Sequence, residues 1–331
     1  METRKVQVTG GSTYTVSLPK EWATTNGISG GSVVEFHPEE GSLLLTPRNE
    51  EERTEGTLDI TGLTDDQLTR AVMMMYVSGF DVITLETPRI TADQRRTIRR
   101  AAQGLVGLEV IGETSEHVQL RDLLDSSELS IHNAVTRMRL VATTMLSDAV
   151  DALVEDDADL ATDVTQRDDD VNRLYYMVSR VFRSVLREPS AAAEIGFDRE
   201  TTFDYHSCAR QLERVADHAS KIAANAQTLD APPEDVASEL QQLHEAADTV
   251  IEQAMDAMLA DDSEEATRIA TEAHEAVTAV DDHVREADTL LLDLEPQQAQ
   301  LLGLVVDSLS RAGDYGGNIA ESALQKAAPK P

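Results

Sequence analysis

The chain has 331 residues, of which 41% are apolar and 4% aromatic, and its 61 acidic residues outnumber 28 basic ones to give a net charge of −33. The apolar share excludes a disordered protein, and the acidic excess disfavours broad contact with nucleic acid or anionic lipid. No apolar run reaches the roughly 18 residues of a membrane helix and no apolar leader opens the chain, so we expect a cytoplasmic protein without membrane insertion.

The basic residues are nearly all arginine, with only five lysines, and the single cysteine, Cys208, excludes an intrachain disulfide. Abundant acid with little lysine is typical of proteins from salt-loving archaea. Most carboxylates then reflect the solvent, and only their positions can identify a site. Cys208 is expected to be a small core residue in a reducing compartment.

Residues 1–48 are predicted to form strands and tight turns. The strands are VQVT (6–9), YTVSL (14–18), VVEF (33–36) and LLLT (43–46), with a short helix in PKEWATTNG (19–27) and a turn at PEEG (38–41). Four short strands cannot build a good core alone, so this unit needs a partner, most simply a second copy.

Residues 49–56 are predicted to be a linker, and residues 57–124 a small α/β layer. The predicted strands are 58–61, 81–86 and 108–113, the last continued by VQLRDLL, and the predicted helices are 65–79 and 90–104. The β-α-β-α-β order favours helices packed on a sheet.

Nearly everything from residue 125 onward has the period of long amphipathic helices. The predicted helices are 126–154, 157–187, 199–228, 234–260, 262–292 and 297–326, with a loop at PSAAAEIG (189–196). The stretch RQLERVADHASKIA (210–223) aligns without a gap to DSLSRAGDYGGNIA (307–320). The chain is therefore predicted to be a multidomain α+β protein that ends in two tandem three-helix bundles, 125–230 and 231–331.

The segment 12–36 resembles the AbrB/SpoVT (MazE-like) swapped-hairpin domain. The matching pieces are Leu18-Pro19 at a strand end, the helix from Lys20, Gly27-Ile28, and Gly31-Ser32-Val33 before the next strand. The resemblance implies a homodimer whose interleaved hairpins form one β-barrel, with DNA bound by its strand and loop edge.

The charge distribution agrees with DNA binding at this end, because residues 1–34 carry three basic and two acidic side chains. The candidates for phosphate contact or hydrogen bonding are Arg4, Lys5, Thr9, Ser12, Thr13, Tyr14 and Lys20. The alternative is a barrel that serves only for dimerisation. A second basic cluster consists of Arg89 and a helical basic stripe, Arg95, Arg96, Arg99 and Arg100. It is either a solvated face paired with acid or a contact for an effector or DNA.

The helical half resembles the PhoU family of phosphate-uptake regulators over about 200 residues. The resemblance rests on LATDVTQRDDDVN (160–172), RQLERVADHASKIA (210–223) and SRAGDYGGNIAE (310–321). It implies divalent metal ions (Fe, Zn, Mn or Mg) held by acidic residues of these helices, here Asp168, Glu213, Asp217 and Asp314. With the acidic, lysine-poor composition, the two resemblances predict a haloarchaeal-type protein.

The spacing of Glu213 and Asp217, four residues apart, places both on one helix face, where like charges repel unless a cation lies between them. Pairing with Arg210 and Arg214 is the alternative to a metal. Ser310 replaces Glu213 in the second repeat, so we expect the two repeats to be unequal. Gly313, Gly316 and Gly317 weaken a helix, which indicates close packing there.

The two halves together predict a transcription regulator of phosphate uptake that binds operator DNA and whose helical body relays phosphate or metal status. The alternative is an adaptor for a phosphate transporter or sensor kinase. The sequence contains no HExxH or P-loop motif, so we do not expect an enzyme.

Overall fold

A computed structural model describes residues 3–39, 41–47, 53–123 and 130–329. The chain divides into two compact units, Met1–Arg53 and Thr54–Pro331.

The first unit consists of two hairpins and one short helix. Its elements are β1 (Gln7–Thr9), β2 (Thr13–Thr15), α1 (Lys20–Thr25), β3 (Val34–Glu39) and β4 (Ser42–Pro47). Gly10 and Gly11 have positive φ, of 67° and 80°, as the tight turn between β1 and β2 requires. The predicted strand 14–18 was too long, and the predicted turn at 38–41 was too wide because β3 continues through Pro38.

The first unit has no core of its own within the described part of the chain. Its two sheets each contain two antiparallel strands, β1-β2 and β3-β4, and none of the described side chains in 3–39 and 41–47 is buried. The exposed large apolar residues are Val6, Val8, Tyr14, Val16, Val33, Phe36, Leu43 and Leu44. The swapped-hairpin barrel and the dimer remain predictions.

The second unit begins with a four-stranded sheet and two helices. They are β5 (Glu55–Asp59), α2 (Asp65–Val77), β6 (Val82–Glu86), α3 (Ala92–Gln103), β7 (Leu108–Glu113) and β8 (His117–Asp122). The strand order is β5-β6-β8-β7, with β5 and β6 parallel and the other pairs antiparallel. A core of residues such as Ile60, Leu68 and Ile98 lies between sheet and helices.

Two predictions for this layer were wrong. The first strand is Glu55–Asp59 rather than 58–61, so it begins inside the predicted linker, whose residues 49–52 lie outside the described ranges. The run after residue 116 forms a separate strand, β8, because the chain turns between Glu113 and His117 and pairs back on β7.

The six predicted long helices are confirmed. They are α4 (Ile131–Val154), α5 (Ala158–Arg187), α7 (Arg199–Ala226), α8 (Glu234–Leu259), α9 (Ser263–Leu291) and α10 (Pro296–Ala327). Residues 126–129 of the first predicted helix lie outside the described ranges. The predicted loop at 189–196 instead contains α6 (Pro189–Ile195), which ends at Gly196 with φ 75°.

The six long helices form two sets of three, α4–α5–α7 and α8–α9–α10, that share one continuous core. Contacts of α7 with α10 and of α4 with α8 join the sets. Asp157, Asp198 and Asp262 cap three of the helices by accepting the backbone N–H three residues later. Cys208 is a core residue as predicted, and burial raises the pKa of its thiol to about 12.

Small residues bring α10 close to its neighbours. A Cβ on Gly316 would lie 2.8 Å from Val250 Cγ1 and 3.0 Å from the backbone nitrogen of Ile251, and one on Gly313 would lie 3.0 Å from Val280 Cγ1. The close packing predicted for these glycines is therefore confirmed. Within the described ranges, no helix has the length and apolar character needed to cross a membrane.

Candidate functional site

The predicted DNA-contact residues lie on one hairpin and its flanks. Thr9, Ser12, Thr13 and Tyr14 belong to β1, β2 and the turn between them, where Thr9 pairs with Thr13 and Val8 with Tyr14. Tyr14 is 77% exposed, and the Thr9 and Thr15 hydroxyls are hydrogen-bonded at 3.0 Å. The hairpin therefore presents its polar residues to solvent.

The predicted basic residues lie on either side of this hairpin. Arg4 and Lys5 precede β1, and Lys20 begins α1. All three are exposed. Their role in DNA binding stays a prediction.

An acidic cluster, consisting of Asp168 on α5 with Glu213 and Asp217 on α7, forms where these two helices pack. Burial, followed by the charges of Asp217 and Asp169, raises the pKa of Asp168 to about 6. Asn172 donates a 2.8 Å hydrogen bond to Asp168 Oδ2, whereas the buried Oδ1 has no hydrogen-bond partner. Burial and the neighbouring carboxylates thus make the ionised form of Asp168 unfavourable.

Glu213 shares the environment of this cluster. Burial and then the charge of Asp217 raise the pKa of Glu213, while Arg210 and Arg214 oppose the rise. Tyr176 lies within electrostatic range of the cluster. Burial, and then the charges of Glu213 and Asp168, raise the pKa of its hydroxyl. Sequence reasoning missed Tyr176, since one aromatic residue in an apolar helix stripe is indistinguishable from a core residue.

The arginines that offered an alternative to metal are engaged elsewhere. Arg210 donates a 2.6 Å hydrogen bond to the Tyr175 hydroxyl, and the Arg214 guanidinium lies 5.7 Å from the centre of the Tyr315 ring. Among the ion pairs of the described residues, neither arginine is joined to Glu213 or Asp217. The repulsion inside the cluster is therefore only partly relieved by the protein.

The cluster fits a cation only in part. In the described ranges, no three His, Cys, Asp or Glu side chains meet as a set that could hold a metal ion. The orphaned oxygen of Asp168 and its repulsion with Asp217 are nevertheless features that a hard cation would relieve. Such an ion would take at most two protein carboxylates and complete its shell with water, as Mg²⁺ commonly does.

The second repeat does not reproduce this cluster. Asp314 lies 3.3 Å from Arg311 Nη1, one helical turn away on the exposed face of α10, and Arg311 Nε lies 3.9 Å from Asp307. The charges of Asp168, Glu213 and Asp217 therefore act on one another, but within the described residues the three do not form a set that could hold a metal ion, and Asp314 pairs with an arginine. His218 packs on Tyr315, with ring centres 5.6 Å apart.

The comparisons with known proteins agree with both predicted resemblances. Residues 135–226 match the PhoU domain, and residues 7–53 match the family described as "Antidote-toxin recognition MazE, bacterial antitoxin". A similar curated protein is the "Phosphate-specific transport system accessory protein PhoU homolog" of Pseudomonas aeruginosa, 28% identical over 186 residues that cover 53% of this chain and 73% of that protein.

A solved structure shows the same fold for the helical body. The crystal structure of PhoU from Pseudomonas aeruginosa superimposes with a TM-score of 0.51 at 23% identity. The match covers 59% of this chain and 93% of that one. The PhoU-like body and the MazE-like N-terminal segment predicted from sequence are therefore confirmed.

Proposed function

We propose that this protein is a DNA-binding transcription regulator of phosphate uptake whose PhoU-like body relays phosphate or metal status to a MazE-like DNA-binding unit. The proposal rests on one observation: a MazE-like segment and a PhoU-like segment occur in the same chain. The MazE-like match at 7–53 covers the hairpin with the exposed polar residues and Lys20, directly after Arg4 and Lys5, and the PhoU match at 135–226 covers the helices with the acidic cluster.

We propose in addition that the first unit acts as a homodimer. Eight large apolar side chains of this unit are exposed, and none of its described residues is buried. Exposed apolar area of this density is characteristic of an interface. A second copy would cover it and would present two sets of Arg4, Lys5 and hairpin hydroxyls to one duplex.

The test of DNA binding is the double substitution Arg4→Ala with Lys5→Ala. The full chain first selects its preferred sequence from fragmented genomic DNA, and its affinity is then measured over a range of salt. Four phosphate contacts per dimer should be lost, which lowers the slope of log K against log salt by about 3 to 4. Analytical ultracentrifugation of the same samples should show a dimer.

The matched control is Arg70→Ala with Arg183→Ala, two exposed arginines of the second unit that remove the same charge. This control should leave affinity and slope unchanged. Equal loss in both double variants would mean that only net charge matters, and no loss in either would refute DNA contact by the N-terminal arm.

We also propose that the acidic cluster binds a divalent cation, with Fe, Zn, Mn and Mg as the candidates. The support is the raised pKa of Asp168 and its orphaned oxygen. Calorimetry of the full chain with Mn²⁺ should show binding that Asp168→Asn and Asp217→Asn weaken, while Asp314→Asn should have little effect. Equal loss in all three variants, or no Mn²⁺ binding, would contradict the proposal.

The second candidate function is an adaptor for a phosphate transporter or sensor kinase. It is favoured by the similarity to a protein described as a transport-system accessory protein. In an adaptor, the first unit would serve for assembly alone. Cells carrying the Arg4 and Lys5 double variant would then regulate phosphate uptake normally, whereas a DNA-binding regulator would fail to do so.

A further inference from the structure

The α/β layer contains a cleft at the carboxyl ends of its two parallel strands. The loop after β5, with Thr61 and Thr64, forms one wall, and the loop after β6, with Thr87 and Arg89, forms the other. The first turns of α3 close the cleft. In open α/β sheets, ligands bind in crevices outside the carboxyl ends of the strands.

The cleft lies outside both family matches, which cover residues 7–53 and 135–226. Its function therefore does not follow from either resemblance. Its volume is about 960 Å³, which is at the upper end of the range of about 300–1,000 Å³ for small-molecule sites. A lone inorganic anion would leave most of this space empty.

The charges of the cleft are unusual for so acidic a chain. Arg96 pairs with Asp93, whereas Arg89 and Arg100 have no side-chain hydrogen bond or ion pair within the ranges that the structure describes. Both are exposed and line the cleft. Asp65 also lines it, so the arginines exceed the carboxylates by one.

The other two arginines of the basic stripe form ion pairs outside the cleft. Arg95 and Arg99 both bind Glu113, at 2.9 Å, on the neighbouring strand β7. The stripe is therefore divided between a structural part, Arg95 and Arg99, and a part that faces the cleft. The expectation of a solvated face paired with acid holds for Arg95, Arg96 and Arg99 but not for Arg89 and Arg100.

We propose that this cleft binds a phosphorylated small molecule of about nucleotide size, with Arg89 and Arg100 as its phosphate ligands. Guanidinium groups bind phosphoryl oxygens through paired, charge-assisted hydrogen bonds. The hydroxyls of Thr61, Thr64 and Thr87 supply polar contacts to the rest of the molecule, and Leu63 supplies apolar surface. The proposal does not depend on DNA or metal binding, and it makes the α/β layer an effector-binding domain.

The experiment is calorimetric titration of the full chain with adenosine monophosphate and fructose 1,6-bisphosphate. At least one of these probes should bind with a Kd below about 1 mM. Arg89→Ala with Arg100→Ala should weaken that binding by on the order of a hundredfold, about tenfold for each arginine. Arg70→Ala, on an exposed arginine of the same layer that does not line the cleft, should leave it unchanged.

A second variant separates charge from geometry. Arg89→Lys with Arg100→Lys keeps the charge but loses the planar donor pair, so it should bind more weakly than the native chain and more tightly than the alanine variant. The proposal is overturned if neither probe binds or if the double alanine variant binds equally well. It is also overturned if citrate or inorganic phosphate binds as tightly, or if the two arginines affect only binding to duplex DNA.

Discussion

Arg180 joins the α/β layer to the helical body, and its removal should destabilise the second unit strongly. The side chain is 9% exposed, and α5 carries it against the end of α2. Its Nη1 donates to the carbonyls of Tyr76 and Phe80 at 2.9 and 3.1 Å, and its guanidinium lies 2.9 Å from Asp81 and 2.8 Å from Asp122.

The expected magnitude follows from the burial of the partners. The Asp122 side chain is 7% exposed, so in Arg180→Leu it would keep its desolvation and lose this guanidinium. Breaking a buried ion pair by removing one partner costs about 3–5 kcal/mol. Asp81 also accepts hydrogen bonds from the backbone N–H and hydroxyl of Thr54, which directly precedes β5, so the loss would loosen β5 as well.

Urea unfolding followed by circular dichroism measures the change. Arg180→Leu should lower the free energy of unfolding by about 4 kcal/mol, while Arg183→Leu, on an exposed arginine of the same helix, should change it by less than about 0.5 kcal/mol. Adding Asp122→Leu to Arg180→Leu should restore part of the loss, because an apolar pair replaces a buried charge. A loss below about 1 kcal/mol for Arg180→Leu would refute this reasoning.

Two further predictions concern pH and packing. Burial, with the charges of Arg210 and Arg183, lowers the pKa of His206 from 6.5 to about 4. The unfolded chain therefore binds a proton at a higher pH than the folded chain does, and stability falls as the pH falls from 6.5 to 4. His206→Gln should remove on the order of 1 kcal/mol of that decline, a value reduced for solvent screening. Gln at the exposed His274 should leave the decline unchanged. Identical profiles of stability against pH for the two variants would contradict the prediction. Gly316→Ala should destabilise by about 1–3 kcal/mol through overpacking against Val250. Gly303→Ala, where the nearest atom lies 3.9 Å away, should instead stabilise by about 0.5–1 kcal/mol, so thermal unfolding that ranks the two alike would be inconsistent with the packing.

The helical body was predictable because its apolar residues recur at the spacing of an α-helix. Apolar residues at helical spacing predicted six long helices, and the repeat of 210–223 at 307–320 predicted two sets of three. The single shared core was not predictable, since the faces that join α7 to α10 look the same in sequence as those within each set. The short helix α6 was missed because Pro189 and Gly196 indicate a loop as readily as a helix of seven residues.

The acidic cluster was predictable in part, because the spacing of Glu213 and Asp217 lies within one helix. The electrostatic coupling of this pair to Asp168 was expected only from the family resemblance, and Tyr176 carried no signal. Arg89 and Arg100 show the same limit. The sequence placed them in one basic cluster with Arg95 and Arg99, but only the position of Glu113 on β7 separates the structural arginines from those that line the cleft.

The central claim is that one chain joins DNA binding to phosphate status, and mapping the protein on its genome under plentiful and scarce phosphate tests it most directly. Discrete occupied sites are expected, and their occupancy should change between the two conditions. The Arg4→Ala, Lys5→Ala variant should lose these sites while remaining as abundant as the native protein. No discrete occupancy in either condition would contradict the account.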